Sequence, residues 1–445
     1  MGFTDAPRRH HGRNNSHHIF TKLRDFCRHF GEDLGFGKRA QMISFYSVWP
    51  TFVGLALIYA LVQLPVFSVA DEPPGQHGSR LRTLDGLRGL LALLVVFHHS
   101  AIYHVFLTSG DFLDTPSRFY NNIGPAAVAL FFMITSYLFW SRLLRHRGHA
   151  DWSSLYIARV FRIGPLFLFA FTCMACIALA ETRFRLQVPI LTLARQLSVA
   201  CGLGLSPIKD INGFPRTILL LDGVPWTLQY EWSFYLSLPL LAILLRRSRF
   251  HLHFVIGGIV CCIVASLLRV PHTARTLGYI TMFFCGMFAA SMKHDGIRLH
   301  LSNKHSSIAV LLLFCVTLAA PVRVGAFFAL PLGLLFYLVA SGCTMFGLLV
   351  SRPAIRLGSL SYSIYLLQGF PQALAFRVPV FRAMALASPT AHWTLALVAS
   401  VLLLSLSTLT YVAIELPGIE LGHKLARRAR SQSSLSKSVS QEAPI

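Results

Sequence analysis

The chain is poor in charge. Only 13% of its 445 residues are Asp, Glu, Lys or Arg, while 54% are hydrophobic, and mean hydropathy is +0.57. A water-soluble globule of this length carries about twice that share of charge, so that class is excluded. Acidic residues are the scarcest charged class: 18 Asp and Glu stand against 40 Lys and Arg, for a formal charge of +22. A nucleic-acid partner does not follow from that excess. Zinc-finger spacing and an aromatic–basic single-strand platform are both lacking. The basic residues instead sit in short stretches between apolar runs, the pattern of loops on the cytoplasmic side of a membrane.

Nine cysteines are present, but no disulfide framework is legible. Cys173 and Cys176 form a C-x-x-C inside the apolar run LFLFAFTCMACIALA, without a second pair, and Cys261 and Cys262 are similarly placed. All read as small packing residues, and no metal-binding set is read. Residues 1–42 lack the short apolar stretch and small-residue cleavage site of a signal peptide. They read as a basic arm, disordered or lying on a membrane surface. Internal repeats are not evident.

What the chain has in abundance is apolar runs long enough to cross a bilayer. Ten fit a regular bundle: Leu87–Val105, Ile123–Trp140, Gly164–Leu179, Trp226–Leu245, Phe254–Leu268, Leu277–Met292, Ile308–Ala320, Gly325–Val350, Leu357–Phe376 and Trp393–Ile414. With Asp85 in the cytoplasm, the inner connections hold Arg142, Arg145, Arg147, Arg159 and Arg162, then Arg246, Arg247 and Arg249, then Lys293, Arg298 and Lys304, then Arg352 and Arg356. The outer connections are poorer in charge, and the alternation predicts a cytoplasmic C-terminus. The fold class expected is all-α: a polytopic transmembrane bundle of about ten core spans plus one extra N-terminal hydrophobic helix. That eleventh run, Ser44–Phe67, poses a conflict, because a crossing there puts the basic arm outside. The long segment Glu181–Pro225 reads as an extracytoplasmic or re-entrant cap. The division expected is a basic arm (1–42), an extra hydrophobic segment and linker (43–80), a membrane domain (81–425) and a disordered basic, Ser-rich tail (426–445).

Ionisable groups inside a bilayer are costly, so they mark function. In RTLDGLRGLLALLVVFHHS, Arg88 and His99 are eleven residues apart. Eleven steps of about 100° return to within about 20° of the same face, about 16 Å further along the axis. An anionic donor gripped at Arg88 would then reach a base at His99, while His98 faces elsewhere. Arg159 and Arg162, in YIARVFRIGP, share a face at the entry to the third span, where guanidinium groups suit phosphate. In WTLQYEWSFYLSLPLL, Glu231 lies among Trp226, Trp232, Phe234 and Tyr235; an interfacial aromatic belt accounts for the rings but not for the carboxylate. LGSLSYSIYLLQG supplies Ser361, Tyr362, Tyr365 and Gln368, and FFMITSYLFW supplies Thr135 and Ser136, small residues that allow close helix approach.

In this order, over roughly Arg82–Leu425 and including the terminal IELPG, these segments resemble the acyltransferase 3 family. These are membrane O-acyltransferases that decorate surface polysaccharides, Nod factors and some macrolides. D-G-L-R-G with Arg88 and His99 is the most specific element. R-x-x-R-I-x-P, W-[ST]-L-x-x-E-x-x-F-Y and S-Y-x-x-Y-L-x support it. Two departures stand out: the family's F-F-x-x-S-G lacks its glycine at Ser136, and its histidine after S-Y-x-x-Y-L-x is Gln368.

The resemblance implies O-acetylation of a carbohydrate or glycan hydroxyl, with acyl-CoA, acetyl-CoA foremost, as co-substrate and no permanently bound cofactor. It places the chain in a bacterial inner membrane. The reading has Arg88, Arg159, Arg162 and Asp85 binding the donor, and His99 acting as general base or transient acyl carrier. Glu231 orients His99 or meets the acceptor, and Trp226, Tyr235, Tyr362, Tyr365 and Gln368 serve as acceptor or structural polar groups. The rival is a multi-span transporter or flippase of a sugar or lipid-linked substrate, which needs no Arg–His pair at this spacing.

Overall fold

The protein is described by a computed structural model over residues 44–71, 81–247, 250–269, 273–297, 299–321 and 325–442. The arm expected at 1–42 lies outside the described residues. As expected, the fold is all-α: the described residues form helices with no strand. In chain order they are α1 (Trp49–Leu61), α2 (Arg82–Ser109), α3 (Arg118–Arg145), α4 (Trp152–Glu181), α5 (Ile190–Ser198), α6 (Trp226–Arg247), α7 (His251–Leu267) and α8 (Ala274–His294). Then follow α9 (Asn303–Ala319), α10 (Ala326–Ala340), α11 (Arg352–Leu367), α12 (Gly369–Arg377), α13 (Pro379–Ala387), α14 (Pro389–Thr410) and α15 (Leu416–Glu442).

Local chemistry sets several boundaries. Asp151, Ser302, Ser351 and Ser388 are N-caps whose side chains accept from the backbone N–H three residues on, which satisfies donors a helix start leaves open. Gly110, at φ 80°, closes α2. α14 passes through one π-helical turn, Tyr411–Glu415, into α15.

Each of the ten apolar runs falls on helix. Among the described residues, five helical stretches are long and apolar enough to cross a membrane: α2, α3, α4, α6 and the α14–α15 rod, while α7, α9 and α10 are among the shorter apolar helices. Two runs are divided. Gly325–Val350 stops being α-helical at Ala340, because Gly342, Met345, Phe346 and Gly347 all take positive φ and turn the chain before a short 3₁₀ piece, Leu348–Val350. Leu357–Phe376 becomes α11 and α12 around Gln368. α15 continues as far as Glu442, inside the tail delimited above at 426–445, since extending a helix already nucleated costs little per residue.

The centre of the bundle is the α2–α11 contact, and glycine makes it. A Cβ at Gly358 would run into the Asp85 carbonyl, one at Gly86 into the Leu349 carbonyl, and one at Gly89 would meet the Gly358 nitrogen. Gly89 therefore brings α2 against α11 and Gly86 seats it on the 3₁₀ piece before α11; the two helices run parallel, with Asp85 beside Gly358 and His99 beside Gln368. The α3–α8 contact works the same way with the roles exchanged. Ser136 is fully buried, and the glycine facing it is Gly286, whose Cβ would clash with Ser136 Oγ and the Met133 carbonyl. The glycine missing from F-F-x-x-S-G has a counterpart across the interface.

The extra N-terminal segment runs the height of α2 in the opposite sense. Near its start, Tyr120 donates to the Ser47 carbonyl (2.7 Å) and Tyr46 pairs with His104 (2.9 Å), both at the far end from Arg88. At its other end Asp71 receives hydrogen bonds from Arg356 Nε (2.6 Å) and Nη2 (2.9 Å) and from Arg352 Nη2 (2.6 Å). Arg356 is 1% exposed and also donates to the carbonyls of Val62, Gln63 and Leu64, which close α1.

Candidate active site

A cavity of about 770 Å³ opens among α2, α3, α4, α6, α11 and the π turn. Its wall carries Arg88, Arg145, Arg159, Arg162 and Lys293, five cations, against three carboxylates, Asp85, Glu231 and Glu415. This brings together in one space the residues singled out on four separate motifs: Asp85, Arg88, Arg159, Arg162, Glu231, Tyr235 and Tyr362. The polar side chains are held in place. Thr135 Oγ1 donates to Glu231 Oε1 (3.1 Å), Tyr362 OH donates to the Ile163 carbonyl (2.8 Å), and Arg159 lies over the Phe139 ring at 5.1 Å. Glu415 accepts from Ser363 through Oε2 (2.8 Å), while its buried Oε1 has no hydrogen-bond partner and the carboxylate faces the arginines of the cavity. Glu415 was not foreseen; its signal was a carboxylate in the apolar stretch YVAIELPG.

His99 lies further along α2, in a second cluster. Its Nδ1 is 3.0 Å from Gln368 Oε1, and Gln368 Nε2 donates to the Tyr365 carbonyl (2.8 Å). The amide is thereby oriented with its oxygen toward the imidazole. Nδ1 must carry the proton and donate, which leaves Nε2 as the basic nitrogen. Gln368 thus does without titration what a histidine at that position would not do unambiguously: it selects one tautomer of His99. His98 is engaged elsewhere, its Nδ1 2.6 Å from the Tyr120 carbonyl and its ring packed on Gly124.

The carboxylate beside His99 is Asp222, with Oδ2 4.0 Å from Nδ1. Tyr103 OH donates to Asp222 Oδ1 (3.0 Å). Asp222 is 3% exposed and takes a left-handed φ of 50° after the 3₁₀ turn Thr217–Leu221. It reaches His99 because the chain before α6 plunges into the bundle. A Cβ at Gly369 would strike the Leu220 carbonyl, and Thr227 Oγ1 is 3.1 Å from Tyr365 OH. His99 is ten residues from the end of α2, so this segment penetrates about 15 Å below that end. The last part of Glu181–Pro225 therefore enters the bundle. In the first turn of α6, Thr227 and Leu228 are buried while Trp226 stays exposed, and Glu231 opens on the cation-lined cavity. Trp226 joins an aromatic group with Phe132, Tyr230 and Tyr279. Sequence reasoning missed Asp222, although a lone carboxylate in the apolar stretch ILLLDGVPW was a legible signal.

Membrane-length apolar helices around a cation-lined cavity and a buried histidine define a membrane protein with polar groups gathered inside its bundle. The chain belongs to the acyltransferase 3 family, described as an acyltransferase domain, which it matches over residues 81–411. No curated protein and no solved structure matches the chain.

Proposed function

We propose that the protein is an O-acetyltransferase that moves an acyl group from acyl-CoA, acetyl-CoA foremost, to a hydroxyl of a carbohydrate or glycan acceptor. The supporting observation is the single helix α2. It carries Arg88 into a cavity with five cations and, eleven residues on, His99 with Nδ1 committed to Gln368 and Nε2 free. Family membership supports acyl transfer; the excess positive charge and the guanidinium forks of Arg88, Arg159 and Arg162 support a donor bearing several phosphates. The positive-inside pattern supports a cavity on the cytoplasmic side, where acyl-CoA is found, and the family resemblance supports a bacterial inner membrane as the site.

In this reading the acceptor oxygen attacks the thioester carbonyl carbon while its proton passes to His99 Nε2. The C–S bond breaks, and Nε2 returns the proton to the departing thiolate, giving ester and CoA thiol. Asp222, rather than Glu231, faces the imidazolium formed in between, and Gln368 holds the tautomer. Glu231, beside Thr135, balances the arginines at the donor site. The test is mass spectrometry of surface glycans from cells with the protein, without it, and with His99→Ala. An acyl increment present only with the wild type supports the proposal; glycans identical in all three overturn it.

A further inference from the structure

The donor cavity and His99 are not in open line. On α11, Tyr362 lines the cavity and Gln368 holds His99, and Tyr365 stands midway, about 4.5 Å along the axis from each. On α3, which runs against α2, Gly124 packs on His98. Phe131, seven residues on, therefore stands about 10 Å nearer the Arg88 end. Phe131 lines the cavity and meets Tyr365 edge-on, ring centroids 5.9 Å apart at 62°.

We infer that the Phe131–Tyr365 pair is a bar across the path from donor site to His99, that Phe131 is its moving part, and that the opening admits only a short acyl group. The inference rests on the donor reading above and adds a limit on the acyl chain. Tyr365 is pinned: its hydroxyl donates to the Val224 carbonyl (3.4 Å) and lies 3.1 Å from Thr227 Oγ1. Val224 belongs to the inward-dipping segment that also carries Asp222, and Thr227 to the first turn of α6 that continues it, so Tyr365 moves only if that stretch moves. Phe131 has no polar tether and is half-buried, with one side on the cavity. Swinging its ring about χ1 toward the cavity opens a slot one ring wide. An acetyl thioester fits such a slot. A long chain does not, and beyond it His99 is bounded by Phe112, with ring centroids at 5.9 Å, and by the Tyr103–Asp222 pair. When Phe131 returns, the reacting ester is shut off from the water of the cavity.

The test uses inside-out membrane vesicles containing the full chain and native acceptor, given radiolabelled acetyl-, butanoyl- or octanoyl-CoA, with His99→Ala as background. Wild type should incorporate acetyl and show about tenfold less octanoyl, in line with the selectivity an apolar pocket can impose. Phe131→Ala should raise octanoyl relative to acetyl by about tenfold with acetyl largely kept, and Phe131→Trp should depress even acetyl. Competition of acyl-CoA binding by CoA on purified protein separates the two readings. A wild type that binds no acyl-CoA removes the donor site and this inference together. A wild type that binds and transfers acetyl, but whose chain-length profile is unchanged in both Phe131 variants, overturns the bar alone.

Discussion

Replacing Gln368 with leucine keeps its volume in a fully buried site but removes the acceptor that fixes His99. Leaving a buried donor unsatisfied costs roughly 1–3 kcal/mol. Here the low end applies, because Asp222 Oδ2 already stands 4.0 Å from the same nitrogen and can accept after a small shift. At 1.36 kcal/mol per decade, a loss of about 1 kcal/mol is a five- to tenfold fall in kcat. Asp222→Asn should cost about as much, since Gln368 still sets the tautomer while the charge facing the imidazolium is lost. With both changes nothing selects the tautomer, and the fall should exceed the product of the two, toward the ~10⁴ lost when a protease triad's histidine loses its orienting group. The assay is acyl transfer in membrane vesicles, per mole of inserted protein, with His99→Ala as floor. Single variants with full kcat, or a double variant that equals the product of the singles, would refute a proton held jointly by Gln368 and Asp222.

Arg88→Lys keeps charge but loses the bidentate fork, so the KM for acyl-CoA should rise with kcat less affected, and Arg88→Ala should raise it further; steady-state kinetics on vesicles decides. His99→Ala should cut turnover by about 10²–10⁴, while His98→Ala, whose hydrogen bond goes to the Tyr120 carbonyl, should keep most of it; a larger loss at His98 would assign the base wrongly. Asp71→Asn should lower the melting temperature in detergent. Its cost should stay below the ~3–5 kcal/mol of stranding a fully buried ion, because Asp71 is partly exposed and three carbonyls still hold Arg356. Hydrogen bonds from Arg356 and Arg352 hold the Asp71 carboxyl far below the ordinary carboxylate range. That stabilisation is complete above pH ~4 and is lost only as pH falls through the depressed value. The difference between wild type and Asp71→Asn should therefore be the same at pH 7 and pH 5.

Much of the helix order was legible because apolar runs and their basic flanks are one-dimensional signals. The placing of Arg88 and His99 on a single helix was legible for the same reason. The two glycines of D-G-L-R-G were visible as part of a motif, but their purpose was not: close approach is a property of the partner, here Gly358 and the Leu349 carbonyl. How far the chain before α6 dips into the bundle was not legible, because nothing in the local composition of Glu181–Pro225 states how deep it goes. Asp222 was missed for the same reason: its partners, Tyr103 and His99, are more than a hundred residues away. Gln368 looked like a lost histidine; only the direction of its amide, set by the Tyr365 carbonyl, shows what it does.

The clamp on α1 bears on where this protein can be cut. A fragment trimmed to the residues shared with the family, 81–411, begins after every acceptor of Arg356: both oxygens of Asp71 and the carbonyls of Val62, Gln63 and Leu64. It would also uncover Phe97, whose ring fills the space beside Gly54 and is fully buried. Such a fragment would present a stranded guanidinium and a bare aromatic face to lipid. The shortest piece that keeps these contacts therefore starts upstream of the family-matched region, no later than the start of α1 at Trp49, and ancestry and autonomy draw different boundaries on this chain.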